Sequence, residues 1–148
     1  MRRTFLLLCA TVLLAAGCTR PAPVLPVPPA PADPTAEWPQ GRDFVARSIT
    51  ESGRDHRLVA GTSLSVRFRA PGELAVEAGC NSLGVRGRLE GARLVPTSLY
   101  STAIACDVER SLQDRWVIDF FNAGPTWELD GGTLTLRAGT TEIVLTDA

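Results

Sequence analysis

The chain has no lysine and only one histidine in 148 residues. Without lysine there is no polybasic stretch. The arginines are scattered and mostly alternate with apolar residues, as on solvated strand faces, so neither nucleic-acid binding nor an electrostatic membrane patch is indicated. The lone histidine, His56, sits in the polar run Glu51-Ser52-Gly53-Arg54-Asp55-His56. It has no partners for a triad or a zinc site and reads as surface. Cys-x-x-Cys, Gly-x-Ser-x-Gly, Walker, calcium-loop and zinc-helix patterns are all missing. Glu73 and Glu77 share the outer face of one strand, an ordinary solvated arrangement rather than a buried acid pair. No catalytic residue, metal or cofactor is expected. No apolar run approaches the roughly 20 residues needed to span a bilayer.

What is present begins with an export segment. Arg2 and Arg3 precede the apolar stretch Phe5 to Ala16, which ends in Ala15-Ala16-Gly17-Cys18. The pattern resembles a lipobox, in which the cysteine is acylated and becomes the mature N-terminus. Residues 1–17 then form a signal peptide. Arg2-Arg3-Thr4-Phe5-Leu6 also resembles a twin-arginine signal, but Met1 stands where a polar residue usually precedes the pair, so general secretion is the safer reading and the route stays open. Residues 18–40 are a lipidated N-terminus and a linker rich in proline and alanine, a composition that favours polyproline II and builds no core. Residues 41–148 remain as one domain. Its expected location is the cell envelope, anchored to a membrane through the lipid on Cys18. Once Arg2 and Arg3 are removed, thirteen arginines face sixteen acids, a mildly negative balance.

Two cysteines, Cys80 and Cys106, lie in the domain. In an oxidising compartment they can pair, and the loop between them would contribute roughly 3.5 kcal/mol in the chain-entropy model. The other reading is two separately buried thiols.

Alternation marks the strands. Leu64, Val66 and Phe68 face one way, with Ser65, Arg67 and Arg69 opposite, and Pro71-Gly72 turns the chain. Leu74, Val76, Ala78 and Cys80 continue the inward phase. Leu83, Val85 and Leu89 alternate with Arg86, Arg88 and Glu90, and Arg93–Thr97 forms a short strand. Val108, Leu112, Trp116, Val117, Phe120 and Phe121 are read as the apolar stripe of a helix, with Glu109, Gln113, Asp114 and Asp119 opposite. Asp107 caps its start and Gly124-Pro125 ends it. Strands then return around the turn Asp130-Gly131-Gly132. The expected fold is α+β: a curved, partly closed antiparallel sheet of about seven to eight short strands, packed on one α-helix at about residues 107–122.

Gly79-Cys80-Asn81, then Thr102-Ala103-Ile104-Ala105-Cys106, then the acidic helix and a final hairpin resemble the META domain family, the HslJ-like proteins. The likeness runs from about Trp38 to Thr146, with Ile104 where methionine is typical. It makes Gly79, Cys80, Asn81, Thr102, Ala105 and Cys106 motif residues. It implies an exported or lipid-anchored protein, linked in some members to stress and antibiotic tolerance, with no enzymatic activity. Asn81 is assigned to local backbone hydrogen bonding and Thr102 to bridging the loop before Cys106. The expected role is a non-enzymatic interaction module for an unknown envelope protein. Two readings compete with it: a binder of a small apolar ligand held between helix and sheet, and an inhibitor of an extracellular enzyme presenting Asp55-His56-Arg57.

Overall fold

Alternation of apolar and polar residues underlies most of the nine strands, and one helix lies between the sixth and seventh. The structure is a computed structural model that describes residues 37–148. The signal peptide, Cys18 and the linker through residue 36 lie outside the described residues. In chain order the elements are β1 (Asp43–Glu51), β2 (Arg54–Asp55), β3 (Ser65–Phe68), β4 (Glu73–Glu77), β5 (Ser82–Glu90), β6 (Arg93–Ser101), α1 (Val108–Asn122), β7 (Thr126–Asp130), β8 (Thr133–Ala138) and β9 (Thr141–Asp147). Six strands therefore precede the helix, and the total is nine rather than seven to eight because β2 is a two-residue strand on the edge of β1. The strand beginning at Arg93 runs on to Ser101.

All pairings are antiparallel, and β1 also pairs with β9 from Phe44↔Asp147 to Glu51↔Thr141. That last pairing closes eight strands into a barrel and leaves only β2 outside it. Closure removes the open edges of the sheet. Inside lie Phe44, Val66, Phe68, Val76, Val85, Leu134, Leu136, Ile143 and Leu145, each no more than 2% exposed. Leu89, beside the Glu90–Gly91 turn at the end of β5, is 37% exposed and does not join them. Two glycines enable one tight approach. Gly72, at φ +79°, accepts from the Gly87 backbone N–H at 2.8 Å, and a Cβ on Gly72 would collide with the Gly87 carbonyl oxygen.

Packing begins ahead of residue 41. Pro39 is buried, and the Trp38 ring packs edge-on against Phe68 at 4.7 Å and Trp127 at 6.0 Å. The Trp38 indole N–H donates to the Arg69 carbonyl. Trp38 thus plugs the barrel end where β3 finishes. The helix covers the opposite end of β3 and β4, because Gln113 bonds to Thr62, before β3, and to Ala78, after β4.

The helix starts where Asp107 accepts from the Arg110 N–H at 2.9 Å, a side-chain N-cap. It stops at Ala123, with Gly124 at φ +70°. Its buried face is Gln113, Val117, Phe120 and Phe121, so the C-terminal half of the stripe read from the sequence is buried while its N-terminal half is not. Val108 and Leu112 are 74% and 65% exposed. The reason is angular: at about 100° per residue, Val108 lies about 180° and Leu112 about 140° from Val117, while Gln113 lies only about 40° away. Trp116 is half-buried at the margin. No helix of the described residues is long and apolar enough to cross a membrane.

On the outside, ion pairs lie along the strands. Arg67 donates twice to Asp43 across β1 and β3, and that hydrogen bonding holds the Asp43 carboxyl below its ordinary range. The pair is solvated, so its net contribution to stability is small.

Candidate functional site

The two motifs meet beneath the N-terminal half of the helix. Cys80 and Cys106 form a disulfide with their Cα atoms 6.4 Å apart. Both are half-buried, since Cys80 lies beyond the end of β4. Gly79 turns the chain at φ +115°, and a Cβ there would fall 2.5 Å from the Thr62 methyl. A side chain is therefore excluded on two grounds.

Asn81 holds the other motif. Its Oδ1 accepts from the Thr102 hydroxyl and from the Ile104 N–H, each at 2.8 Å. Its Nδ2 donates to Asp114 Oδ2 at 2.8 Å, and its backbone N–H donates to the same oxygen at 3.2 Å. Thr102 also accepts from the Ser82 N–H at 3.1 Å. Asn81 thus bonds a segment more than twenty residues away, rather than only its own backbone as expected. Thr102 does bridge the loop. The polar atoms of both motifs are occupied with one another, and what they fix in place is the stretch from Thr102 to Cys106.

Sequence reasoning missed two partners on α1. Gln113 is 7% exposed. It accepts from the Val59 N–H and donates to Thr62 Oγ1 and the Ala78 carbonyl, so its amide is satisfied. Its positions four, seven and eight residues before Val117, Phe120 and Phe121 were the available signal. Asp114 receives Asn81 on Oδ2, while Oδ1 is buried without a partner. Next to it, between helix and sheet, a gap of about 10 Å³ is lined by residues including Leu83, Ser101 and Val117. That is the space of about one water and does not fit an apolar ligand.

One donor atom each from Cys80, Cys106 and Asp114 lie within 4.8 Å of one another. A disulfide sulfur is not a thiolate, so the bridged trio is not a metal site. His56 differs from the expected surface residue. Its ring stacks on Trp116 at 4.2 Å with planes 13° apart, and its Nδ1 lies 3.4 Å from a Glu51 carboxylate oxygen. Asp55-His56-Arg57 therefore forms the wall of a groove rather than a projecting loop.

The motif end of the barrel is apolar at its surface. Ile104, Val108 and Leu112 are 60%, 74% and 65% exposed, and Ala103 and Ala105 are exposed beside them. Asn81→Ala should release the Thr102 hydroxyl and the Ile104 N–H and remove the side-chain donor from Asp114 Oδ2, leaving that oxygen only the backbone N–H of residue 81. The expected loss in urea unfolding is about 2–3 kcal/mol, as for a hydrogen bond to a charged group. A loss below about 0.5 kcal/mol would mean that the disulfide alone holds the loop.

A search of curated proteins finds no match. Two solved structures share the fold. An NMR structure of a protein from Burkholderia xenovorans superposes with a TM-score of 0.66 at 14% identity, covering 86% of this chain and 99% of that one. A second NMR structure gives a TM-score of 0.54 at 18% identity, covering 72% of this chain and 89% of the other. The META domain model matches residues 39–148, from the buried Pro39 through β9 and including both motifs, and the chain belongs to the META domain family.

Proposed function

We propose that this protein is a lipid-anchored envelope protein that acts without catalysis, as an interaction module, and that the motif end of the barrel is its contact surface. The observation that carries this reading is the pinned apolar patch. Asn81, Thr102 and the disulfide hold a loop whose exposed residue, Ile104, leads into the helix on which Val108 and Leu112 are exposed as well. A rigid exposed apolar patch is the ordinary signature of a partner site. The occupant is a protein. The patch is flanked by charges of both signs, the Asp107–Arg110 pair together with Glu109 and Arg115, which gives an anionic lipid surface nothing to prefer. The described chain enters the barrel at Trp38, at the end of β3 opposite the patch. A role in envelope stress or antibiotic tolerance, as in other family members, fits such a module.

The test is site-specific photocrosslinking of the full chain in its host. A crosslinker at Leu112 should give a discrete adduct, while one at Arg69, near the Trp38 end, should not. Ile104→Ser should remove the adduct without lowering the melting temperature. Equal labelling from both positions, or an adduct indifferent to Ile104→Ser, would refute the contact surface. Separately, Cys18→Ser should release the protein from membranes or block its maturation. Mature, membrane-bound Cys18→Ser protein of unchanged mobility would rule out the lipid anchor.

A further inference from the structure

A second feature lies beside strand β1 and shares no residue with the motifs. Strand β1 carries a bulge: Ala46 pairs with Leu145 and Ser48 with Val144, so Arg47 has no residue opposite it. Bulges of this kind redirect a side chain and recur beside binding sites. Beside the bulge is an open groove of about 470 Å³, bounded by Arg47, Ile49, Asp55, His56, Arg57 and Leu58. That volume falls within the roughly 300–1,000 Å³ of small-ligand clefts.

The chemistry of the lining is divided. Ile49 is 6% exposed and, with the half-buried Leu58, supplies apolar surface. The His56 ring is fixed by stacking on Trp116 and by its backbone N–H, which donates to the Ile49 carbonyl at 2.9 Å. Arg47 is oriented through its Nε, which donates to the Thr146 hydroxyl at 2.7 Å. Six arginines of the domain, Arg42, Arg67, Arg86, Arg88, Arg110 and Arg137, have a carboxylate within 4 Å. Among the described residues the other six, Arg47, Arg54, Arg57, Arg69, Arg93 and Arg115, have none, and of these Arg47 and Arg57 line the groove. Asp55 is the one acid lining the groove, and Glu51 is held by His56 at its margin. Two guanidiniums against one lining carboxylate leave room for a single added negative charge.

The geometry points to a binding site for an anionic amphiphile: a carboxylate or phosphate-ester head on Arg47 and Arg57, with a short apolar tail along Ile49 and Leu58. Guanidinium groups match either head through paired N–H donors. The inference is independent of the partner surface proposed above, because it shares no residue with that surface.

Titration followed by backbone amide NMR tests it, using octanoate and octyl phosphate below their micellar concentrations. Both should give saturable shifts at Ser48, His56 and Leu58, and the tighter of the two identifies the head. Octyl glucoside and inorganic phosphate should each bind at least tenfold more weakly. Arg47→Gln/Arg57→Gln should weaken octyl phosphate at least tenfold, and Arg88→Gln should leave it unchanged. Arg57→Gln alone, at an exposed position, should weaken it measurably and guards against a folding defect in the double variant. Absence of saturation overturns the site. So does equal binding of octyl glucoside, which would mark a merely apolar groove, or of inorganic phosphate, which would mark simple anion attraction. Full affinity in the double variant overturns it as well.

Discussion

Phe120→Ala is expected to destabilise the domain by about 3–5 kcal/mol, the cost of truncating a buried aromatic. Phe120 is 5% exposed, lies in edge contact with Phe121 at 5.3 Å, and sits on the arc of α1 that covers the barrel. Phe121, fully buried beside it, is the other large apolar anchor of that face. Gln113 contributes hydrogen bonds rather than apolar burial, and Val117 is small. Trp116→Ala should cost about half as much, because its ring is only half-buried and packs on His56 and Phe120 at the margin. The two substitutions, compared by urea unfolding, report the rotation of the helix. Equal losses would place Trp116 in the core and turn the helix toward the stripe of Val108 and Leu112. A loss below about 1 kcal/mol for Phe120→Ala would mean that this face does not cover the barrel at all.

That rotation is the part of the fold the sequence conceals. The strands are readable because one-sided burial imposes a period of two, and Leu64, Val66 and Phe68 keep it without exception. Both caps of α1 are readable because Asp107 and Gly124 are chemically suited to them. The face of the helix is not, because its apolar residues cover almost its whole circumference. Val108 and Leu112 are apolar for a reason other than core packing, and Gln113 is buried because the backbone groups at Val59 and Ala78 need a partner. Closure of the barrel is hidden for another reason. The pairing of β1 with β9 joins residues about a hundred positions apart, and no local pattern encodes it. At the candidate site, the cysteines and Asn81 are visible as a motif, but Asp114 is not, since one more acid on an acidic helix carries no mark. The groove is equally silent in the sequence. A bulge at Arg47 comes from register, and Arg47 and Arg57 look like any other arginine until both are seen to line one groove.

The disulfide carries the second large effect. Cys80→Ser/Cys106→Ser should lower stability by about 2–4 kcal/mol, because the bridge closes a loop with a sequence separation of 26. The same loop contains all of β5 and β6, and these strands are already zipped by antiparallel pairs from Leu83↔Ser101 to Glu90↔Arg93. The bridge therefore does most for what lies outside the ladder, the stretch from Thr102 to Cys106. Asn81 acts on that stretch too, so the two restraints should be coupled: Asn81→Ala should cost more without the bridge than with it, by at least about 0.5 kcal/mol. Strict additivity would show that the asparagine and the disulfide hold separate pieces of chain. In the intact protein, isolated without reductant, neither Cys80 nor Cys106 should react with an alkylating agent. Two freely alkylated thiols would remove the bridge from the account of stability and return the motif cysteines to the class of separately buried thiols. If the bridge is present, its loss should loosen Ile104 while leaving α1 in place. The Leu112 crosslink should then weaken even in protein that remains folded, linking the family's cysteine motif directly to the surface it supports.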